Sequence, residues 1–114
     1  MMDAWFQKSD FEGDDFQVSG EADALAKWQA IDIAEADALM TNLEEQGDDF
    51  CPWGISFYNE DGIQIHIWRE SQENDTYGVR ISKNAKENTI DDVPVAMVPV
   101  MIKTFYSKWS TLLP

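Results

Sequence analysis

The chain has 114 residues, 44% of them hydrophobic and 12% aromatic, and carries a formal net charge of −14. That is the length of one ordinary domain with enough apolar material to offset chain entropy, which excludes wholesale disorder. The charge argues against direct contact with nucleic acid or anionic lipid, because it repels phosphates.

The charge is lopsided. From Met1 to Gly62 there are sixteen acids and two bases, Lys8 and Lys27; from Ile63 onward there are six of each. No apolar core follows the first residues as in a secretory leader, and the longest apolar stretch, Val93 to Ile102, is too short to span a bilayer. A cytoplasmic protein forming a single domain over 1–114 is expected. One cysteine excludes an intrachain disulfide.

Residues 1–18 set apolar islands (Trp5-Phe6, Phe11, Phe16-Gln17-Val18) among acids, with a turn signal at Gly13-Asp14-Asp15. They predict a loosely ordered arm or an edge strand, pinned by Trp5 and Phe16. Ser19 can cap a helix starting at Gly20 or Glu21, and Asp32, with Glu35 three residues on, can cap another. Ile33, Ala36, Leu39, Met40 and Leu43 then share a face, and Gly47 is a natural stop. Two helices, about 20–30 and about 33–46, or one bent helix, follow from this spacing. The pentapeptide Glu-Ala-Asp-Ala-Leu recurs at 21–25 and 35–39, which helix-favouring composition explains without a repeat architecture.

A hairpin comes next. Ile55 and Phe57 alternate with polar residues, as do Ile63, Ile65 and Ile67. A turn over Asn59-Glu60-Asp61-Gly62, with Gly62 left-handed, pairs Phe57 with Ile65 and Ile55 with Ile67, so that both sets share one face. A tight turn at Glu60-Asp61 would break that match. A third strand runs from Tyr77 to Ser82 with Tyr77, Val79 and Ile81 inward. Residues 85–90 read as a polar connector. Asp91 or Asp92 starts a C-terminal helix in which Pro94 is tolerated and Pro99 kinks or restarts it; Met101, Phe105, Trp109 and Leu112 form its apolar face. The expected fold is α+β: a two-layer sandwich of order α-α-β-β-β-α, in which an antiparallel three-stranded meander is flanked by two N-terminal helices and one C-terminal helix. An extra N-terminal edge strand is compatible with it.

Catalytic chemistry finds little support. Cys51 has Asp48 and Asp49 beside it, which oppose thiolate formation, and no second cysteine. His66 lacks a sequence-local partner beyond Ser56 across the hairpin. The paired acids lack the spacing of a calcium loop, and neither a phosphate-binding glycine loop nor a serine elbow occurs. A non-enzyme without metal or cofactor is expected.

The other face of the hairpin gathers Tyr58, Gln64, His66, Trp68 and Arg80, with Gly54 and Gly78 leaving space. Tyr, Trp and Arg are enriched at interface hot spots. The expected function is therefore a small acidic protein-binding module that neutralises or escorts a basic protein partner, with the class properties of immunity- or antitoxin-like inhibitors. The candidate contacts are Glu35, Asp37, Glu44, Glu45, Asp48 and Asp49, with Trp53, Tyr58, His66 and Trp68 as anchors. Alternatives are a DNA mimic that occupies a DNA-binding protein's groove, a secretion-type chaperone or adaptor that forms a homodimer, and a small enzyme.

Overall fold

The computed structural model describes residues 1–113. They form β1 (Met2–Gln7), β2 (Gly13–Val18), α1 (Glu21–Gln29), α2 (Ile33–Glu45), β3 (Gly54–Tyr58), β4 (Gln64–Ser71), β5 (Thr76–Lys83), β6 (Lys86–Pro94) and α3 (Val98–Lys108), with 3-10 turns on either side of α3. The strands make one antiparallel sheet in the order β2-β1-β3-β4-β5-β6. The class is α+β, as expected. The order is β-β-α-α-β-β-β-β-α, which corrects both the expected α-α-β-β-β-α order and the three-stranded meander.

The central hairpin has the expected register. Ile55 pairs with Ile67 and Phe57 with Ile65. Gly62 adopts φ +76°, and its N–H donates to the Asn59 carbonyl at 3.2 Å. The Asn59 side chain completes the turn by accepting from the N–H groups of Asp61 (2.9 Å) and Ile63 (3.0 Å). Both N-terminal helices fall within a residue of expectation. Asp32 caps α2 by accepting from the Glu35 N–H at 3.0 Å. The α1 start differs: Gly20 is the N-cap residue, and Asp23 reaches back to accept from the Ser19 N–H at 3.0 Å.

Two corrections enlarge the sheet. Residues 1–18 are a hairpin whose first strand inserts between β2 and β3, with Ala4 opposite Phe57 and Trp5 opposite Ser56. Ala4 and Phe6 turn to the core while Trp5 stacks on His66 on the outward face, so apolar residues run consecutively and the alternation that marks a strand is lost. Residues 86–94 are also a strand. Lys83 pairs with Lys86 around Asn84, which takes φ +55°. A register slip opposite Tyr77 and Val79, with Asp92 at φ +56°, breaks the periodicity that would have marked β6. The expected helix start at Asp91 or Asp92 therefore lies in β6. Pro94 is the last strand residue, and Pro99 sits in the first turn of α3, where its missing N–H costs nothing.

All three helices contribute to the core on one sheet face. Trp28, Met40, Ile102 and Phe105 pack in one apolar cluster with Ile55, Phe57, Ile65, Ile67, Val79 and Ile81. Within this cluster lies one buried charge. Arg69 of β4 is 4% exposed. Its Nε and Nη2 donate to the two carboxylate oxygens of Asp37 on α2 (3.1 and 2.9 Å), and its Nη1 donates to Asp75 (2.9 Å). Asp37 also accepts from Trp53 Nε1 at 2.9 Å, and the guanidinium lies 4.7 Å from the Tyr77 ring centre. Burial works against the charge on Arg69, but the two carboxylates outweigh it and hold its pKa above the ordinary value.

Arg69→Met leaves Asp37 without its cation and Trp53 facing an uncompensated carboxylate. It is expected to lower stability by about 3 kcal/mol or more in chemical denaturation. The double variant Arg69→Met, Asp37→Leu should recover most of that loss. A double variant as unstable as the single one would show that the pair is not what couples α2 to the sheet.

Candidate functional site

The sheet order keeps the charge asymmetry of the sequence. Residues 1–62 supply β2, β1, β3, α1 and α2; the electroneutral remainder supplies β4, β5, β6 and α3. The acids of the first flank are not neutralised internally. Among the described residues, only Asp37 and Asp75 of the 22 acids form salt bridges, both with Arg69.

The Asp37–Arg69 contact fixes how α2 is rotated. With Ile33, Asp37 and Met40 turned toward the sheet, the 3.6-residue repeat sends Glu35, Ala38, Leu39 and Asn42 sideways. That stripe overhangs the inward side of the β1–β2 hairpin, and the space between them is a groove of about 880 Å³. Phe6, Phe16, Ile31, Ala36, Leu39 and Ile55 give it apolar walls, while Asp10, Asp14, Asp32 and Glu35 stand around it with Lys8 and Lys27. Lys27 Nζ lies 5.8 Å from the Phe16 ring centre. Of the residues expected to contact a partner, Glu35 alone lines this groove. Phe6 and Phe16, missed as contacts, had a signal in the sequence: both belong to apolar islands in an acidic segment.

Glu44, Glu45, Asp48 and Asp49 are exposed at the C-terminal end of α2 and in the loop beyond it. No base occupies the last turn of α2, so two glutamates face the negative end of the helix dipole. Phe50 next to them is exposed. Trp53 corrects the expected anchor set. It has no exposed surface, its ring packs near Phe6 (6.1 Å) and Tyr77 (5.8 Å), and its N–H is spent on Asp37. Asp37 is corrected with it, since its carboxylate is committed to Arg69 and Trp53 rather than offered to a partner.

Tyr58, His66 and Trp68 are half-buried on the outward sheet face, away from the helices, with Gln64 and Arg80 as expected. A row crosses all six strands there: Asp15, Trp5, Ser56, His66, Arg80 and Thr89. His66 stacks between Trp5 (5.2 Å, 29°) and Trp68 (5.6 Å, 20°). Gly78 leaves room for Trp68, because a β-carbon there would run into the indole. The His66 Nδ1 lies 2.6 Å from Ser56 Oγ, which also accepts from Gln64 at 3.2 Å. Burial, and secondarily Arg80, lowers the His66 pKa to about 4, so the ring is neutral at pH 7. Ser56 is fully buried, and its hydroxyl holds the imidazole in place.

The expected contacts thus fall on two separate surfaces. The free acids gather on the helix side and at the end of α2, whereas the aromatic trio lies on the opposite face. Cys51 is half-buried, with Sγ 3.5 Å from the Lys8 carbonyl oxygen. Burial comes first in raising its pKa; Asp10, rather than the expected Asp48 and Asp49, adds the electrostatic part. Among the described residues, no group of three His, Cys, Asp or Glu side chains is placed to hold a metal ion, and no helix is long and apolar enough to cross a membrane. Comparisons with protein-family models, curated proteins and solved structures found no match.

Two measurements probe these sites. His66 binds its proton more weakly folded than unfolded, so its contribution makes stability fall as pH drops from about 6.5 to about 4, with no further loss below. The drop is at most about 3 kcal/mol and is reduced by partial solvent access. His66→Asn should flatten that part of the pH profile, and unchanged slopes would contradict the assignment. Glu44→Lys and Glu45→Lys should each raise stability by about 0.3–1 kcal/mol in thermal melts at low salt; a loss of stability would show that these carboxylates have a stabilising partner.

Proposed function

We propose that the chain is a small acidic protein-binding module that captures a basic partner protein and neutralises or escorts it. The observation that carries this reading is the groove beside α2. It combines apolar walls, which supply affinity when covered, with four carboxylates that form no salt bridge among the described residues. The surrounding acidic flank steers a basic protein toward it and repels nucleic acid and acidic proteins. Glu44, Glu45, Asp48 and Asp49 extend the negative field along α2 without lining the groove. An acid load serving solubility alone would not require apolar walls among the carboxylates.

The test is capture at low salt from the native host, with wild type and the Asp14→Lys, Glu35→Lys double variant run in parallel. Both side chains are exposed, so the variant is expected to melt like wild type. A basic protein should be retained by wild type, released as salt rises, and held roughly tenfold more weakly by the double variant. Equal retention of every captured protein by the two forms would sink this reading.

A further inference from the structure

The groove is continuous with a free sheet edge. β2 pairs only with β1, so its other side presents unpaired backbone N–H and C=O groups. The two edges of the sheet differ. β6 is blunted by Pro94, by Asp92 at φ +56° and by the register slip opposite β5. β2 has no proline, no residue with positive φ and an unbroken register with β1 over all six residues. Its inward side chains Asp14 and Phe16 are themselves part of the groove wall.

Resting on the reading of this chain as a binder of basic proteins, we infer that β2 takes an extended, basic segment of the partner as a seventh strand. Backbone pairing along β2 supplies the docking rail. Alternate side chains of the incoming strand point inward beside Phe16, where apolar groups cover the groove, and outward beside Asp15, where Lys or Arg is favoured. Asp14 adds a second carboxylate on the inward side. A second copy of the chain does not suit this edge, because its own β2 brings Asp14 and Asp15 against the same acids. A helix laid in the groove would cover the apolar walls and leave the edge groups of β2 unpaired.

The experiment uses the intact protein with synthetic peptides about ten residues long. One alternates lysine and valine. A second has the same composition at helical spacing. Two further versions of the first are N-methylated at residues of one parity or the other. Amide hydrogen exchange of residues 13–18 and affinity are read together. The alternating peptide should slow exchange at alternate β2 amides by about tenfold or more, and methylation of one parity only should abolish binding. Binding of the helically patterned peptide without protection of β2, or equal loss from both methylation patterns, would overturn strand addition and leave the acidic-module reading standing. Failure of every peptide to bind also overturns strand addition, and the broader reading then falls only if the paired capture experiment retains no basic protein.

Discussion

Arg69 is the only buried charged side chain among the described residues, and the arrangement of the helical layer depends on how that charge is compensated. Taking a guanidinium out of water is unfavourable by several kcal/mol unless its donors are satisfied. Here three of its nitrogens donate to Asp37 and Asp75, and its face meets the Tyr77 ring. One partner lies on α2 and the other in the β4–β5 turn, so the network ties a helix to that hairpin. Met40 is the only buried residue of α2, with Ile33 and Ala36 packed partly against the core, so the ion pair carries much of the docking of this helix. Once Asp37 is bound, the rotation of the helix is set, and the groove follows as the space left along its flank.

The electrostatic layout has the same origin. Bases that might have balanced the acidic flank are used elsewhere: Arg69 inside, Arg80 beside His66, and Lys83 4.8 Å from the Trp109 ring centre. The sheet order then keeps the two halves of the chain on opposite flanks, so a charge difference in sequence becomes one in space. The two glutamates at the end of α2 are unfavourable for the helix they terminate. Residues that weaken local structure without an internal compensation are the ones expected at a surface used for something else.

What could be read from the residues was local. The α1 and α2 boundaries, the Asn59–Gly62 turn, the pairing of Ile55 with Ile67 and the shared outward face of Tyr58, His66 and Trp68 all follow from capping, a left-handed glycine and a period of two. An edge strand within residues 1–18 was legible and is β2, but β1 escaped because Trp5, stacked on His66 outside, stands between core-facing Ala4 and Phe6 and erases the alternation. β6 escaped because its slip at Asp92 puts Ile90 and Val93 three apart. The groove could not be foreseen, because Phe6, Phe16 and Leu39 meet there only through the pairing of β1 with β3 and the docking of α2. Trp53 and Asp37 were misread as surface contacts for a related reason: their mutual hydrogen bond joins residues sixteen positions apart, and only packing reveals it.

The position of β1 between β2 and β3 has a kinetic side. Four of the five strand pairings join neighbours in sequence across turns. The exception, β1 with β3, brings Ala4 against Phe57 and so closes a loop holding a complete hairpin strand and two helices. Loop closure is entropically expensive before contacts reward it, and this pairing carries the largest such cost in the sheet. Until it forms, Phe6 and Ile55 lie on separate pieces of chain. The cleft beside α2 therefore exists only once this one long-range pairing has formed, and a chain without it has no place for a partner to dock.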